Sequence, residues 1–212
     1  MERLRLTEET IPVCAARAAE ALRAGGVVLY PTDTLYGLGV DALSDDAVAK
    51  IYTLKGRRED RPVHAIVSDL SMAETYAEVT ESARLLSERL PEGQVTFILK
   101  KQVGFDAGIT KGIETFGFRI PANEFCIQMV RAFRRPITAT SANRSGERPE
   151  RSVDKILAQL GEAAEGIDLV IDAGELPERQ PSTVVDLSGP TPRIVREGAI
   201  PQSAIFKALK SR

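Results

Sequence analysis

Apolar positions recur along this chain in two rhythms, one suited to helices and one to buried strands. Ile11, Ala15, Ala18 and Leu22 fall on one helical face, with Thr10 as cap, Pro12 in the first turn and Gly25-Gly26 as the stop. Val27-Val28-Leu29-Tyr30 follows as a continuous run of strand length, which Pro31 ends because it cannot donate to a ladder. Ser44 caps a second helix whose inner face is Val48, Ile51 and Tyr52, and which runs out at Leu54-Lys55-Gly56. Short apolar runs predict strands at Val63–Val67, Val95–Lys100, Thr115–Ile120, Pro136–Thr140, Leu169–Ile171, Thr183–Leu187 and Arg193–Val195. Helical spacing predicts helices near Met72–Ala77 and Thr80–Leu90, one through Cys126, Met129, Val130 and Phe133, one behind Ser152, and a last one over Pro201–Leu209. Gly104–Gly112 reads as a loop. Strands and helices alternate irregularly, without a repeat or a linker, so the expected fold is one α/β domain over residues 1–212, a twisted mixed sheet flanked by helices.

Composition narrows the function. With 43% apolar and 27% charged residues the chain reads as an ordinary soluble globular protein, and no apolar run reaches the length of a membrane span. The amino terminus lacks the pattern of a secretory signal, so a cytoplasmic location is expected. A formal net charge of −2 argues against a general nucleic-acid coat. Cys14 and Cys126 stand far apart and there is a single histidine, which excludes a zinc site built of His and Cys alone. His64, inside an apolar run, reads as a packed core residue.

The candidate chemistry sits where apolar runs end. Thr32, Asp33 and Thr34 follow the first strand, the position at which open α/β sheets place ligands. Asp33 could orient a hydroxyl, help hold a metal, or be a turn carboxylate. Lys55 and Arg57 can hold different oxygens of one triphosphate, or serve the carbonyl end of their helix. Ser141-Ala142-Asn143-Arg144-Ser145-Gly146 suits an anion nest or a capped turn. Arg119 and Arg196 each close an apolar run, where a guanidinium meets either a ligand anion or a structural carboxylate. Ser182-Thr183 opens another strand. Neither a Walker A loop nor GxGxxG is present.

Taken together, Tyr30-Pro31-Thr32-Asp33-Thr34-Leu35-Tyr36-Gly37-Leu38-Gly39, Lys55-Gly56-Arg57, Gly117-Phe118-Arg119-Ile120-Pro121, Thr140 to Gly146, Ser182 to Asp186 and Val195 to Ile200 resemble the YrdC-type family of threonylcarbamoyl-AMP synthases, in the family's order and from about Gly25 to Ile200. The resemblance implies a positively charged concave cleft, a family-like core over residues 11–200, and no further C-terminal domain. It implies L-threonine, bicarbonate and ATP with Mg²⁺ as reactants, and L-threonylcarbamoyladenylate and pyrophosphate as products. A separate tRNA threonylcarbamoyl transferase complex would use the adenylate, and contact with tRNA itself would fit. By the same resemblance Lys55 and Arg57 would be catalytic. ATP would be held by these two with Arg61, Thr115, Ser141, Asn143 and Arg196. Threonine would be held by Thr34, Arg119, Ala139 and Ser182, and Mg²⁺ would come with ATP rather than on protein side chains.

Arg58, Arg61, Ile66, Gln94 and Asn123 depart from residues common in the family. Two other readings use the same residues: a non-catalytic relative that binds tRNA or ribosomal RNA, and a carbamoyl-transfer module.

Overall fold

The computed structural model describes residues 1–56 and 62–210. Ten strands form one mixed sheet: β1 (Glu2–Arg5), β2 (Val28–Pro31), β3 (Tyr36–Gly39), β4 (His64–Ile66), β5 (Val95–Lys100), β6 (Thr115–Arg119), β7 (Ile137–Ser141), β8 (Leu169–Asp172), β9 (Thr183–Asp186) and β10 (Arg193–Arg196). Their spatial order is β1-β8-β2-β3-β7-β4-β6-β5-β9-β10. The helices are α1 (Ile11–Arg23), α2 (Asp45–Lys55), α3 (Leu70–Glu74), α4 (Glu81–Arg89), α5 (Glu124–Phe133), α6 (Val153–Leu160) and α7 (Gln202–Lys210). Parallel pairs (β1 with β8, β8 with β2, β4 with β6, β5 with β9) mix with antiparallel ones, as the irregular alternation predicts.

The period-2 alternation of the strands divides two cores. Val27, Leu29, Leu38, Ala65, Phe97, Phe116, Phe118 and Val185 face α2, α4, α6 and α7. Val28, Tyr30, Ile66, Ile137, Leu169 and Ile171 face α1 and α5, which pack together on the other side. These two helices cover only part of that face. Over β4, β6, β5, β9 and β10 the same face carries Thr96, Gly117, Arg119 and Ser182, and it stays open as a cleft.

Two strands have no counterpart in the apolar pattern. β1 alternates exposed and half-buried residues at the sheet edge. β3 is the return strand of a hairpin with β2, closed by Thr32–Leu35, so the segment after Pro31 is neither a plain turn nor the start of a helix. Gly37 and Gly39 weaken the strand signature, and packing requires Gly39. A Cβ at Gly39 would lie 2.8 Å from the Tyr30 ring and 2.9 Å from Ile137. Tyr30 spends its hydroxyl on the Thr138 carbonyl, 2.9 Å away, which ties β2 to β7 across the hairpin. The helix expected near Met72–Ala77 starts earlier and ends sooner, because Asp69 caps it by accepting from the Met72 amide at 2.9 Å. Within Gly104–Gly112 a short 3-10 turn covers Gly108–Thr110.

Candidate active site

The open face is a cleft of about 650 Å³, lined by the 32–37 hairpin, the ends of β4, β5, β6, β7 and β10, and the segments 148–151 and 178–182. Thr34 is set by the hairpin turn. Thr32 Oγ1 donates to the Leu35 carbonyl at 2.8 Å and accepts from the amides of Thr34 and Leu35 at 3.0 and 3.1 Å. Its proton and both lone pairs are thereby engaged, so the 3.1 Å approach of the Thr34 hydroxyl adds only a weak contact. The lone pairs of Thr34 remain available to a ligand ammonium or hydroxyl.

Arg119 ends β6 at 6% exposure. Its Nη1 donates to both oxygens of Asp33 at 2.8 and 2.9 Å and to the Gly93 carbonyl at 3.0 Å. Nε and Nη2 have no hydrogen-bond partner among the described residues, and the guanidinium lines the cleft. One edge of the fork is fixed and the other is left for an anion. Asp33 is therefore the structural partner of Arg119, which is the carboxylate alternative expected for the guanidinium and none of the three roles expected for Asp33 itself. Arg196 is an exposed residue at the end of β10 whose guanidinium is partly covered, and it donates to the Ser182 carbonyl at 2.9 Å. Burial, and secondarily the charge of Arg119, pull its pKa down, so an anion between the two would relieve both. Among the described lining residues five are arginines (Arg119, Arg148, Arg151, Arg179, Arg196) and two are glutamates (Glu150, Glu178).

The cleft brings together Thr34, Arg119, Ala139 and Ser182 with Ser141 and Arg196. Asn143 and Lys55 lie behind its wall. Lys55 is 3% exposed, and its ammonium donates to the carbonyls of Ser141 and Asn143 (2.8 Å for the latter) and to Asn143 Oδ1 at 3.4 Å. Ser141 Oγ also donates to Asn143 Oδ1, while Asn143 Nδ2 reaches the carbonyls of Arg144 and Glu147 at 2.7 and 2.8 Å. The Ser141–Ser145 loop is thus held in shape from beneath. Thr115 shares the face of Gly117 and Arg119 but sits four residues back along β6, about 13 Å from Arg119 at strand rise. Arg57 and Arg61, with Arg58, lie outside the described residues. Lys55→Met should cost about 1–3 kcal/mol, because three oxygens lose a buried donor. Chemical denaturation checks the loss, and faster amide exchange over 141–146 should accompany it.

His64 is corrected by the structure: it opens β4, is only half-buried, and lines the cleft over Gly117, where a Cβ would meet its ring at 2.4 Å. Tyr36 and Thr96, which lie in family-like stretches without an expected role, and Arg148, Arg151 and Arg179 are further cleft residues. The Tyr36 hydroxyl, pushed up to about 12 by burial, accepts from the Ala173 amide at 2.9 Å and donates to the Gly174 carbonyl at 2.8 Å. It anchors one end of the 173–182 segment, which Arg179 carries across the mouth to the Asp33 carbonyl at 3.1 Å. Among the described residues no group of three or more His, Cys, Asp or Glu side chains is placed to hold a metal ion. No helix among them is long and apolar enough to cross a membrane.

Comparison with known proteins gives this geometry a context. The Sua5/YciO/YrdC family pattern, described as telomere recombination, matches residues 20–198. Threonylcarbamoyl-AMP synthase of Pyrococcus abyssi is 35% identical over 91% of this chain and 56% of its own length. The Bacillus subtilis threonylcarbamoyl-AMP synthase is 34% identical over 90% of this chain and 55% of its own. The chain thus spans about half the length of these two relatives. The crystal structure of P. abyssi Sua5 complexed with L-threonine superposes with a TM-score of 0.84 at 34% identity, covering 99% of this chain and 60% of that one. With the family pattern covering most of its length and the sheet superposing on a solved member, the chain belongs to the Sua5/YciO/YrdC family.

Proposed function

We propose that this chain makes L-threonylcarbamoyladenylate from L-threonine, bicarbonate and ATP, acting as a nucleotidyltransferase that supplies threonylcarbamoyl modification of tRNA in the cytoplasm. The observation that carries this is the convergence on one cleft of Thr34, Arg119, Ala139 and Ser182 with Ser141 and Arg196. The names of the relatives and the threonine bound in the P. abyssi structure support it.

The free edge of Arg119 would take the threonine carboxylate, and the lone pairs of Thr34 and the Ser182 hydroxyl would orient its amine and side chain. Threonine amine and bicarbonate then give N-carboxy-threonine with loss of water. A carboxylate oxygen attacks the α-phosphorus of ATP, the bond to the bridging oxygen breaks, and pyrophosphate leaves. Two anions must meet, so fixed cations and oriented donors supply most of the catalysis. Arg196 and the positive excess of the cleft would hold the phosphates, while the Ser141–Ser145 loop, shaped by Lys55, would seat the nucleotide. Arg57 would share the phosphate and carbamate charge with Lys55, and Arg61 and Thr115 would lie on the nucleotide side. Without an acidic cluster among the described residues, Mg²⁺ fits best as part of the MgATP substrate, where it would neutralise charge on the leaving pyrophosphate. The downstream user of the adenylate would be a separate tRNA threonylcarbamoyl transferase complex.

Pyrophosphate release from MgATP should require both L-threonine and bicarbonate. Release without threonine, or none at all from protein that still binds ATP, would overturn the reading. In the second case, salt-sensitive RNA binding would point to the non-catalytic alternative.

A further inference from the structure

We propose that Thr96 is a positioning residue for the amino-acid end of the cleft, acting through the hydroxyl of Ser182. This rests on the function proposed above and gives a role to a residue that the family resemblance leaves without one. In β5, Val95, Phe97 and Leu99 turn into the core, so alternation sends Thr96 to the open face. The parallel register of β5 with β9 sets Thr96 opposite Val184, so Ser182, two residues before Val184, shares the face of Thr96 as its diagonal neighbour. Their hydroxyl oxygens are 2.7 Å apart, and both residues are buried at the cleft floor. Neither hydroxyl has another hydrogen-bond partner among the described residues. One of the two protons is therefore committed to the pair, and the other is left for whatever fills the cleft.

The rest of Ser182 is already immobile. Its carbonyl accepts from Arg196 Nη2 at 2.9 Å. The turn after β10 presses against its backbone so closely that a Cβ at Gly198 would lie 2.7 Å from the Ser182 carbonyl carbon. Only the hydroxyl torsion of Ser182 is free, and Thr96 is the group that sets it. The same residue thus joins the Thr96 hydroxyl on one side to the phosphate-facing guanidinium of Arg196 on the other.

Two substitutions separate this role from packing. Thr96→Val keeps the volume and deletes the hydroxyl, whereas Thr96→Ser keeps the hydroxyl and deletes a methyl. In threonine- and bicarbonate-dependent pyrophosphate release, Thr96→Val should raise KM for threonine about tenfold, with KM for ATP within about twofold. Thr96→Ser should stay close to wild type. In a Ser182→Ala background, Thr96→Val should add no more than about a further twofold, because its effect passes through Ser182. Three results would overturn the proposal: a larger loss in Thr96→Ser than in Thr96→Val, equal changes in both KM values, or an undiminished effect of Thr96→Val in the Ser182→Ala background. The Ser182→Ala comparison of Thr96 with Thr96→Ser keeps the test intact should Thr96→Val not fold: a loss in Thr96→Ser that matches Ser182→Ala would count against a hydroxyl role. Wild-type protein that releases no pyrophosphate would instead remove the reading on which the proposal rests.

Discussion

Arg119→Met is expected to lower kcat/KM for L-threonine by roughly 10²–10³-fold, with a smaller effect on KM for ATP. Truncating one partner of a buried, hydrogen-bonded charge pair costs about 2–5 kcal/mol, and about 1.4 kcal/mol is a factor of ten. Arg119 meets the conditions for the upper part of that range. It is nearly enclosed, its Nη1 edge is fixed by Asp33 and Gly93, and its other edge has no partner among the described residues. Such a fork presents two parallel donors without having to be ordered when the ligand arrives. Arg119→Lys should recover only part of the loss, since an ammonium restores the charge but not the planar pair of donors. The measurement is steady-state pyrophosphate release at varied threonine, on protein whose melting shows a folded domain. A folded Arg119→Met protein within about fivefold of wild type would remove Arg119 from the threonine site.

Much of this fold is legible in the sequence because strands such as β2 and β8 are buried on both faces. Val27 to Tyr30 and Leu169 to Ile171 are unbroken apolar runs, and helix caps such as Ser44 and Thr80 sit where their helices start. The elements that escape are those whose physics leaves no such trace. β3 contains two glycines, of which Gly39 is demanded by the Tyr30 ring, and β1 is an edge strand with charged residues. The cleft is legible in part for a similar reason. Thr34, Arg119, Ser141, Ser182 and Arg196 stand at strand ends, where polarity changes abruptly. Thr96 and His64 lie inside or at the start of apolar runs, and only the sheet register turns them toward the same space. Arg148 and Arg179 come from loops whose sequence carries no period, so nothing short of the fold brings them to the rim.

Asp33→Leu should destabilise the protein by about 3–5 kcal/mol, the cost of removing one partner from a buried ion pair. The side chains of Asp33 and Arg119 are only 7% and 8% exposed, so solvent does little to screen the charge left behind. The Gly93 carbonyl would still accept from Nη1, but a neutral acceptor does not balance a buried cation. Pairing the two changes should reverse most of this cost. The double variant Asp33→Leu/Arg119→Met replaces the ion pair with apolar groups, which is often close to neutral for stability. A double-mutant cycle by chemical denaturation would then give a large favourable coupling between the positions, while pyrophosphate release stayed as low as in Arg119→Met alone. Asp33→Leu within about 1 kcal/mol of wild type, or a double variant no more stable than Asp33→Leu, would show that the carboxylate does not hold the guanidinium. The expected pattern separates two duties that meet in one side chain. Stability would need the charges of Asp33 and Arg119 only to be matched, whereas the proposed recognition of threonine would need the guanidinium itself, held by one edge and offering the other.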